Sequence, residues 1–234
     1  MMADFHAIYR EHAREYEAMV SVEDLAGNVP ALIRSVCPPA GKTVLDIGAG
    51  TGRLTMLLAA EAGHVVAVDR APAMLEITAE RAAQAGYTNV ETRLSDHRSL
   101  PLDDASVDLA VAGWTFGHST EWDADWQTEI GHSLDEAFRV LKSGAPLVIF
   151  ETMGTGSETP APPNEALAAL YTWFESEQGF ANHGWLRTDY TFESPEQGAE
   201  LTRFFFGDEM ADRILAERLT VLPECTGYWW KTKV

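Results

Sequence analysis

Val44-Leu45-Asp46-Ile47-Gly48-Ala49-Gly50-Thr51-Gly52-Arg53 is the most informative stretch of the 234-residue chain. A short β-branched and apolar run leads into three alternating glycines, and a helical pattern follows over 53–62. Strand, glycine turn and helix in that order form the geometry that holds a nucleotide-like ligand at the carboxyl edge of a sheet. Glycine is needed there because the backbone turns and closes on a ligand where a Cβ would clash. Outward from this point the pattern repeats. Thr43–Ile47 and His64–Asp69 read as strands, and Pro72–Ala85 as a helix with proline in its first turn. Val90–Ser95 and Val107–Ala112 continue the strands, and Ile130–Leu141 is helical. Ala145–Glu151 is a fifth strand, apolar from Pro146 to Phe150, as a strand covered on both faces requires. Strands alternating with helices predict an α/β fold of parallel βαβ units with helices on both faces of one sheet.

Two carboxylates sharpen the glycine turn. Asp69 ends the second strand 17 residues past Gly52, where a carboxylate can accept both hydroxyls of a ribose. Asp46 lies just ahead of the glycines; it is unhelpful beside a pyrophosphate but suits a ligand that carries an ammonium group. The Gly-x-Gly-x-Gly spacing also departs from the Gly-x-Gly-x-x-Gly of dinucleotide folds. The charges therefore favour a sulfonium amino-acid nucleoside over NAD. An NAD-dependent oxidoreductase is the alternative enzyme, and a non-catalytic protein that binds the nucleoside is the alternative from another class.

With these residues the sequence resembles the class I S-adenosylmethionine-dependent methyltransferases, in particular the small-molecule type 11 group that includes ubiquinone and menaquinone biosynthesis enzymes. The resemblance covers 43–151 closely and the remainder loosely. It implies a Rossmann-like sheet of seven strands, mostly parallel with an antiparallel last strand, flanked by helices. It also implies that S-adenosylmethionine is the cofactor and S-adenosylhomocysteine the product. By the same resemblance Asp46, Gly48, Ala49, Gly50 and Gly52 line the cofactor loop, and Asp69 holds the ribose. Arg70 and Met74 pack on adenine; Ser95-Asp96-His97 stands where the family has Gly-Asp-Ala, so Asp96 accepts from the adenine amino group with His97 beside it. Gly113 and Trp114 line the methionine arm. The N-terminal helix folds over the cofactor, with one of Tyr9 and Tyr16, taken here as Tyr16, against the methionine carboxylate or else in the core.

In-line methyl transfer asks the protein for alignment and a dry pocket, and no strong base is obligatory. If a proton must leave the acceptor, His118 is the first candidate, since its side chain titrates near neutral pH and it follows the fourth strand. Glu151, at the carboxyl end of the fifth strand, is the second; it either meets the acceptor or caps a loop. No metal is expected, because the seven histidines form no His-x-x-x-His pair and Gly113-Trp-Thr-Phe-Gly-His118 lacks the acids a magnesium-assisted enzyme would carry there.

Residues 1–42 read as a helical cap, with helices over 3–20 and 23–36 stopped by Cys37-Pro38-Pro39. Residues 43–234 read as the Rossmann-like domain, with a helical lid around 153–187. Thr188–Phe192 and Gly227–Thr232 are the expected last strands, and Ser194-Pro-Glu-Gln197 opens a helix as a capping box. The 36 acidic against 17 basic residues leave a formal charge of −19, which opposes binding to nucleic acid and to anionic membranes. Two distant cysteines argue against a disulfide scaffold, and Asp4, His6, Arg10 and Glu11 interrupt any signal-peptide core. A cytoplasmic enzyme acting on a small-molecule acceptor is the expectation; nothing in the residues sets an oligomeric state.

Overall fold

The computed structural model describes residues 5–234, so the first two positions of the helix expected over 3–20, and Asp4 in the N-terminal reading, lie outside the described residues. The chain opens with helices α1 (Phe5–Glu11), α2 (Ala13–Val20) and α3 (Asn28–Val36). Alternation then begins: β1 (Thr43–Ile47), α4 (Arg53–Ala59), β2 (His64–Asp69), α5 (Pro72–Gln84), β3 (Val90–Leu94) and β4 (Leu109–Gly113). Next come α6 (Ser119–Trp122), α7 (Trp126–Val140), β5 (Pro146–Thr155), α8 (Glu165–Ser176) and β6 (Asn182–Arg187). The chain finishes with β7 (Tyr190–Thr191), α9 (Pro195–Phe206), α10 (Asp208–Glu217), β8 (Val221–Leu222) and β9 (Glu224–Thr232).

Seven strands form one sheet in the order β3-β2-β1-β4-β5-β9-β6. The first five are mutually parallel, whereas β9 runs antiparallel to both β5 and β6. The expected seven-stranded Rossmann-like sheet with an antiparallel last strand is therefore present. Strand order reverses between β1 and β4, and a crevice opens beyond the carboxyl ends of strands at such a switch point.

Alternation along each strand divides the core. Leu45, Ile47, Ala110, Ala112 and Ile149 face a layer that includes Leu134 and Ala137 of α7 and Leu170 and Phe174 of α8. Val44, Val65, Val111 and Val148 face Val29 and Ile33 of α3 and Leu54 and Leu58 of α4. A period of two puts neighbouring residues on opposite faces, so a strand covered on both sides is apolar throughout.

Three differences from the sequence reading follow from burial. The sixth strand is Asn182–Arg187 rather than Thr188–Phe192, of which only Tyr190–Thr191 pairs, with β8 in a separate two-stranded sheet. Residues 153–187, expected as a lid, instead contain a core helix and a sheet strand: α8 buries Leu170, Tyr171, Trp173 and Phe174 against the sheet. The cap helix expected over 23–36 starts only at Asn28, because Asp24 turns the chain and accepts the backbone N–H groups of Asn28 and Val29 at 2.9 and 2.8 Å. Ser194 does cap α9, accepting from the Gln197 backbone N–H. Among the described residues, no helix is long and apolar enough to cross a membrane, and no group of three or more His, Cys, Asp or Glu could hold a metal ion.

Candidate active site

The glycine loop leaves β1 under several backbone restraints. Ala49 N–H donates to the Val68 carbonyl at 2.9 Å, and Gly52 N–H to the Ala49 carbonyl at 2.9 Å. Thr78 of α5 donates its hydroxyl to the Gly50 carbonyl at 2.8 Å, and Arg81 donates to the Thr51 carbonyl at 2.7 Å. Asp69 fixes the loop from the end of β2: one carboxylate oxygen accepts Gly50 N–H at 2.8 Å and the other accepts Ala71 N–H at 2.8 Å. Gly48 and Gly50 both adopt left-handed backbone, with φ of +66° and +55°. A Cβ on Gly48 would meet Thr115 at 2.5 Å, whereas one on Gly50 would meet nothing within 4 Å. Gly50 therefore borders open space, and that space is the site.

The space is a cavity of about 820 Å³ at the switch point, a size typical of small-molecule sites. Its lining brings together Asp46, Gly48, Ala49, Gly50, Asp69, Arg70, Met74, His97, Gly113, Trp114, Tyr16 and His118 from the sequence reading. Three residues from that reading do not line it. Gly52 packs its Cα against Thr78 and closes the turn behind the cavity. Asp96, expected at adenine, turns away: Arg98 donates to its two oxygens at 2.8 and 2.7 Å, which holds its pKa near 2. Glu151, expected near an acceptor, is spent on the loop after β4, accepting backbone N–H groups of Phe116 and Gly117 at 2.8 and 3.0 Å. Its burial pushes the carboxyl up to about 7. Of its two expected alternatives, the loop cap is what the structure contains.

The remaining members have distinct surroundings. Asp46 is buried at the base, accepts the Thr55 hydroxyl at 2.6 Å, and is raised to about 7 by desolvation. Trp114 also takes left-handed backbone, at φ +52°, and its N–H donates to the Phe150 carbonyl at 2.7 Å. Over its ring, 3.4 Å from the centroid, lies the guanidinium of Arg53, the first residue of α4. Arg53 also pairs at 2.6 Å with the fully buried carboxylate of Glu23, which ties the N-terminal cap to the glycine helix. His97 reaches Ser133 of α7 at 2.5 Å, and burial lowers its pKa. Arg70, expected on adenine, lines the cavity and extends over the Trp122 ring at 4.9 Å.

Across the mouth, α1 and α2 bring in two tyrosines. Tyr16 is buried beside Tyr9, ring centroids 5.5 Å apart, and desolvation lifts its hydroxyl to about 12. Tyr9 places its hydroxyl 2.6 Å from Nε2 of His118, whose ring stacks on Trp122 at 5.0 Å. Burial raises the Tyr9 pKa well above its ordinary value, so the phenol that meets the imidazole keeps its proton. Tyr9 was left between cofactor and core by the sequence, and Trp122 carried no signal, since α6 spans only four residues. Arg53 was visible as the residue after the last glycine, but nothing local predicted Glu23 as its partner.

Residues 44–144 match the methyltransferase domain family. This segment is similar to methyltransferase domains. A demethylmenaquinone methyltransferase of Clavibacter sepedonicus is 39% identical over 121 residues, 52% of this chain and 45% of that protein. An arsenite methyltransferase of Halobacterium salinarum is 32% identical over 118 residues, 49% of this chain and 28% of that protein. The chain thus spans half or less of the length of these two curated relatives. The solved structure of a SAM-dependent methyltransferase from Aquifex aeolicus superposes with a TM-score of 0.56 at 20% identity, covering 94% of this chain and 96% of that one. That likeness shows the shared fold, and the methyltransferase domain contributes every strand from β1 to β4, the glycine loop and Asp69.

Proposed function

We propose that the protein transfers a methyl group from S-adenosylmethionine to a small-molecule acceptor by in-line displacement. The observation that carries this reading is the open cradle above Gly50, walled by Asp69 on one side and by Trp114 and the Tyr9–His118 pair on the other. When bound, the cofactor supplies an activated methyl group on a sulfonium. Gly48 to Gly50 would lie under it, Asp69 would take the ribose with its remaining lone pairs, and Asp46 at the base would face the ammonium end. Arg53 and Trp114 would flank the amino-acid arm.

The chain's own contribution is positioning, exclusion of water and a place for a proton. Tyr9 and Tyr16 close the cavity from the cap with apolar rings. A protic acceptor beside Tyr9 can give its proton to the phenol oxygen while the phenol proton moves to His118 Nε2, so no strong base is required. The net charge of −19 disfavours polyanionic acceptors such as nucleic acid. Calorimetric titration with S-adenosylmethionine, S-adenosylhomocysteine and NAD tests the reading: micromolar binding of the first two and none of the third is expected. Binding of NAD alone, or of none of the three, overturns it.

A further inference from the structure

The acidity of this chain makes its arginine partners informative. Of the thirteen arginines in the sequence, eleven stand within ion-pair distance of an Asp or Glu. Among the described residues, only Arg70 and Arg218 do not. Arg218 ends α10 on the surface, far in sequence from the site. Arg70 lines the cavity. With 36 acidic side chains in the molecule, a cation that lines a pocket with no acid within ion-pair distance is a cation kept for something else.

Its orientation says what. From the end of β2 the side chain crosses toward α6 and lies over Trp122, whose ring stacks on His118. Arg70, Trp122, His118 and Tyr9 therefore form one continuous row along the mouth. Arg53, the guanidinium over Trp114, is by contrast already paired with Glu23. The charged neighbours at this rim do not satisfy Arg70 either. Glu129 is held by Arg98, Asp69 feels the Arg70 charge but forms no ion pair with it, and Glu76 and Asp123 lie outside ion-pair distance.

We propose that Arg70, laid over Trp122, receives an anionic group of the methyl acceptor, a carboxylate or a phosphate, and so sets the acceptor's nucleophilic atom beside Tyr9 and His118. A planar guanidinium offers two parallel N–H donors to either oxyanion, and it does so beside an aromatic face that keeps it in place. The proposal rests on the methyltransferase reading for the word acceptor, while the anion site itself can be measured apart from it.

The test follows the Trp122 indole N–H by nuclear magnetic resonance, assigned with Trp122→Phe, at constant ionic strength. The whole protein is titrated with inorganic phosphate and separately with acetate, each with and without saturating S-adenosylhomocysteine. A saturable shift with at least one anion is expected, persisting with the nucleoside bound, weakened at least tenfold in Arg70→Gln and unchanged in Arg218→Gln. Phosphate alone acting assigns a phosphoryl acceptor, and both acting assigns an oxyanion of either kind. Absence of a saturable shift, equal affinity in Arg70→Gln, or loss of the shift when S-adenosylhomocysteine binds overturns the proposal. Failure of S-adenosylhomocysteine to bind counts against the methyltransferase reading instead, and the nucleoside-free titration still reads the anion site. Arg70 is exposed, so Arg70→Gln is expected to fold, and an unchanged thermal midpoint checks that.

Discussion

Gly48 and Gly50 share a left-handed backbone and differ in what stands where a side chain would go. Alanine at either carries the left-handed cost of roughly 1–2 kcal/mol. At Gly48 the new Cβ also meets Thr115, whose hydroxyl is bonded to the Ile47 carbonyl, and overpacking of that kind adds about 1–3 kcal/mol. Gly48→Ala is therefore expected to lower the thermal midpoint well below that of Gly50→Ala. Gly50→Ala is expected to stay folded and lose most of its affinity for S-adenosylhomocysteine, because its Cβ fills the cradle. Parallel melting and titration of the two variants check this; equal midpoints would show that Thr115 gives way. Glu151 makes a second residue-scale prediction. Its carboxyl rises from an ordinary 4.5 to about 7 in the fold, so between those pH values the unfolded chain has lost a proton that the native state retains. Stability from this group is thus full below about pH 4.5 and falls as pH rises to about 7, by about 3 kcal/mol. Glu151→Gln lacks that titration. The stability of wild type relative to the variant should grow on acidification from pH 7 to 4.5, and denaturant melts at both ends of the window measure it. A flat difference would mean that Glu151 is already ionised in the fold.

Among the elements, the N-terminal cap has the largest functional consequence, because it carries Tyr9 to His118 across 109 residues of sequence. Tyr9→Phe keeps the ring and removes the hydroxyl. It is expected to leave S-adenosylhomocysteine affinity within about twofold and to cut turnover by on the order of 10², the usual yield of acid–base assistance. Steady-state kinetics separate the two effects; an unchanged kcat would remove Tyr9 from the proton path. The same scale shows what the residues revealed and what they hid. Strands β1, β2 and β5 were plain because each is covered on both faces and so reads as a continuous apolar run. Strand β6 was missed because it is an edge: Asn182-His183-Gly184-Trp185-Leu186-Arg187 has one poorly covered face and leaves Trp185 45% exposed. Helix α8 falls within the stretch expected as a lid, and aromatics such as Trp173 and Phe174 can serve a ligand or a core. Only the sheet behind it decides, with Trp173 and Phe174 packed beside Trp229 of β9. The partners of Asp96 and Glu151 were hidden for a related reason: sequence position gives a carboxylate's place on a strand end, while its partners depend on which N–H groups arrive there. Arg98 two residues on, and the loop after β4, arrived first.

At the scale of the molecule, the proposed function puts the cofactor on the parallel half of the sheet and closes the cavity with Tyr9 and Tyr16 of the cap. The places of the glycine loop, Asp69 and Gly113 were legible because they sit at the carboxyl ends of the neighbouring strands β1, β2 and β4, where topology alone sets them. The proposed acceptor side was not, because Tyr9 of α1, Arg70 at the end of β2, and His118 and Trp122 at the two ends of α6 come from three separate segments and meet only in the closed fold. In the proposed function one cavity at the strand switch point holds S-adenosylmethionine. A crystal structure of the protein with S-adenosylhomocysteine is the decisive experiment. Ligand density is expected above Gly48–Gly50, with the ribose at Asp69 and the sulfur facing the Tyr9–His118 pair. Density elsewhere, or a ligand whose ribose avoids Asp69, would contradict it.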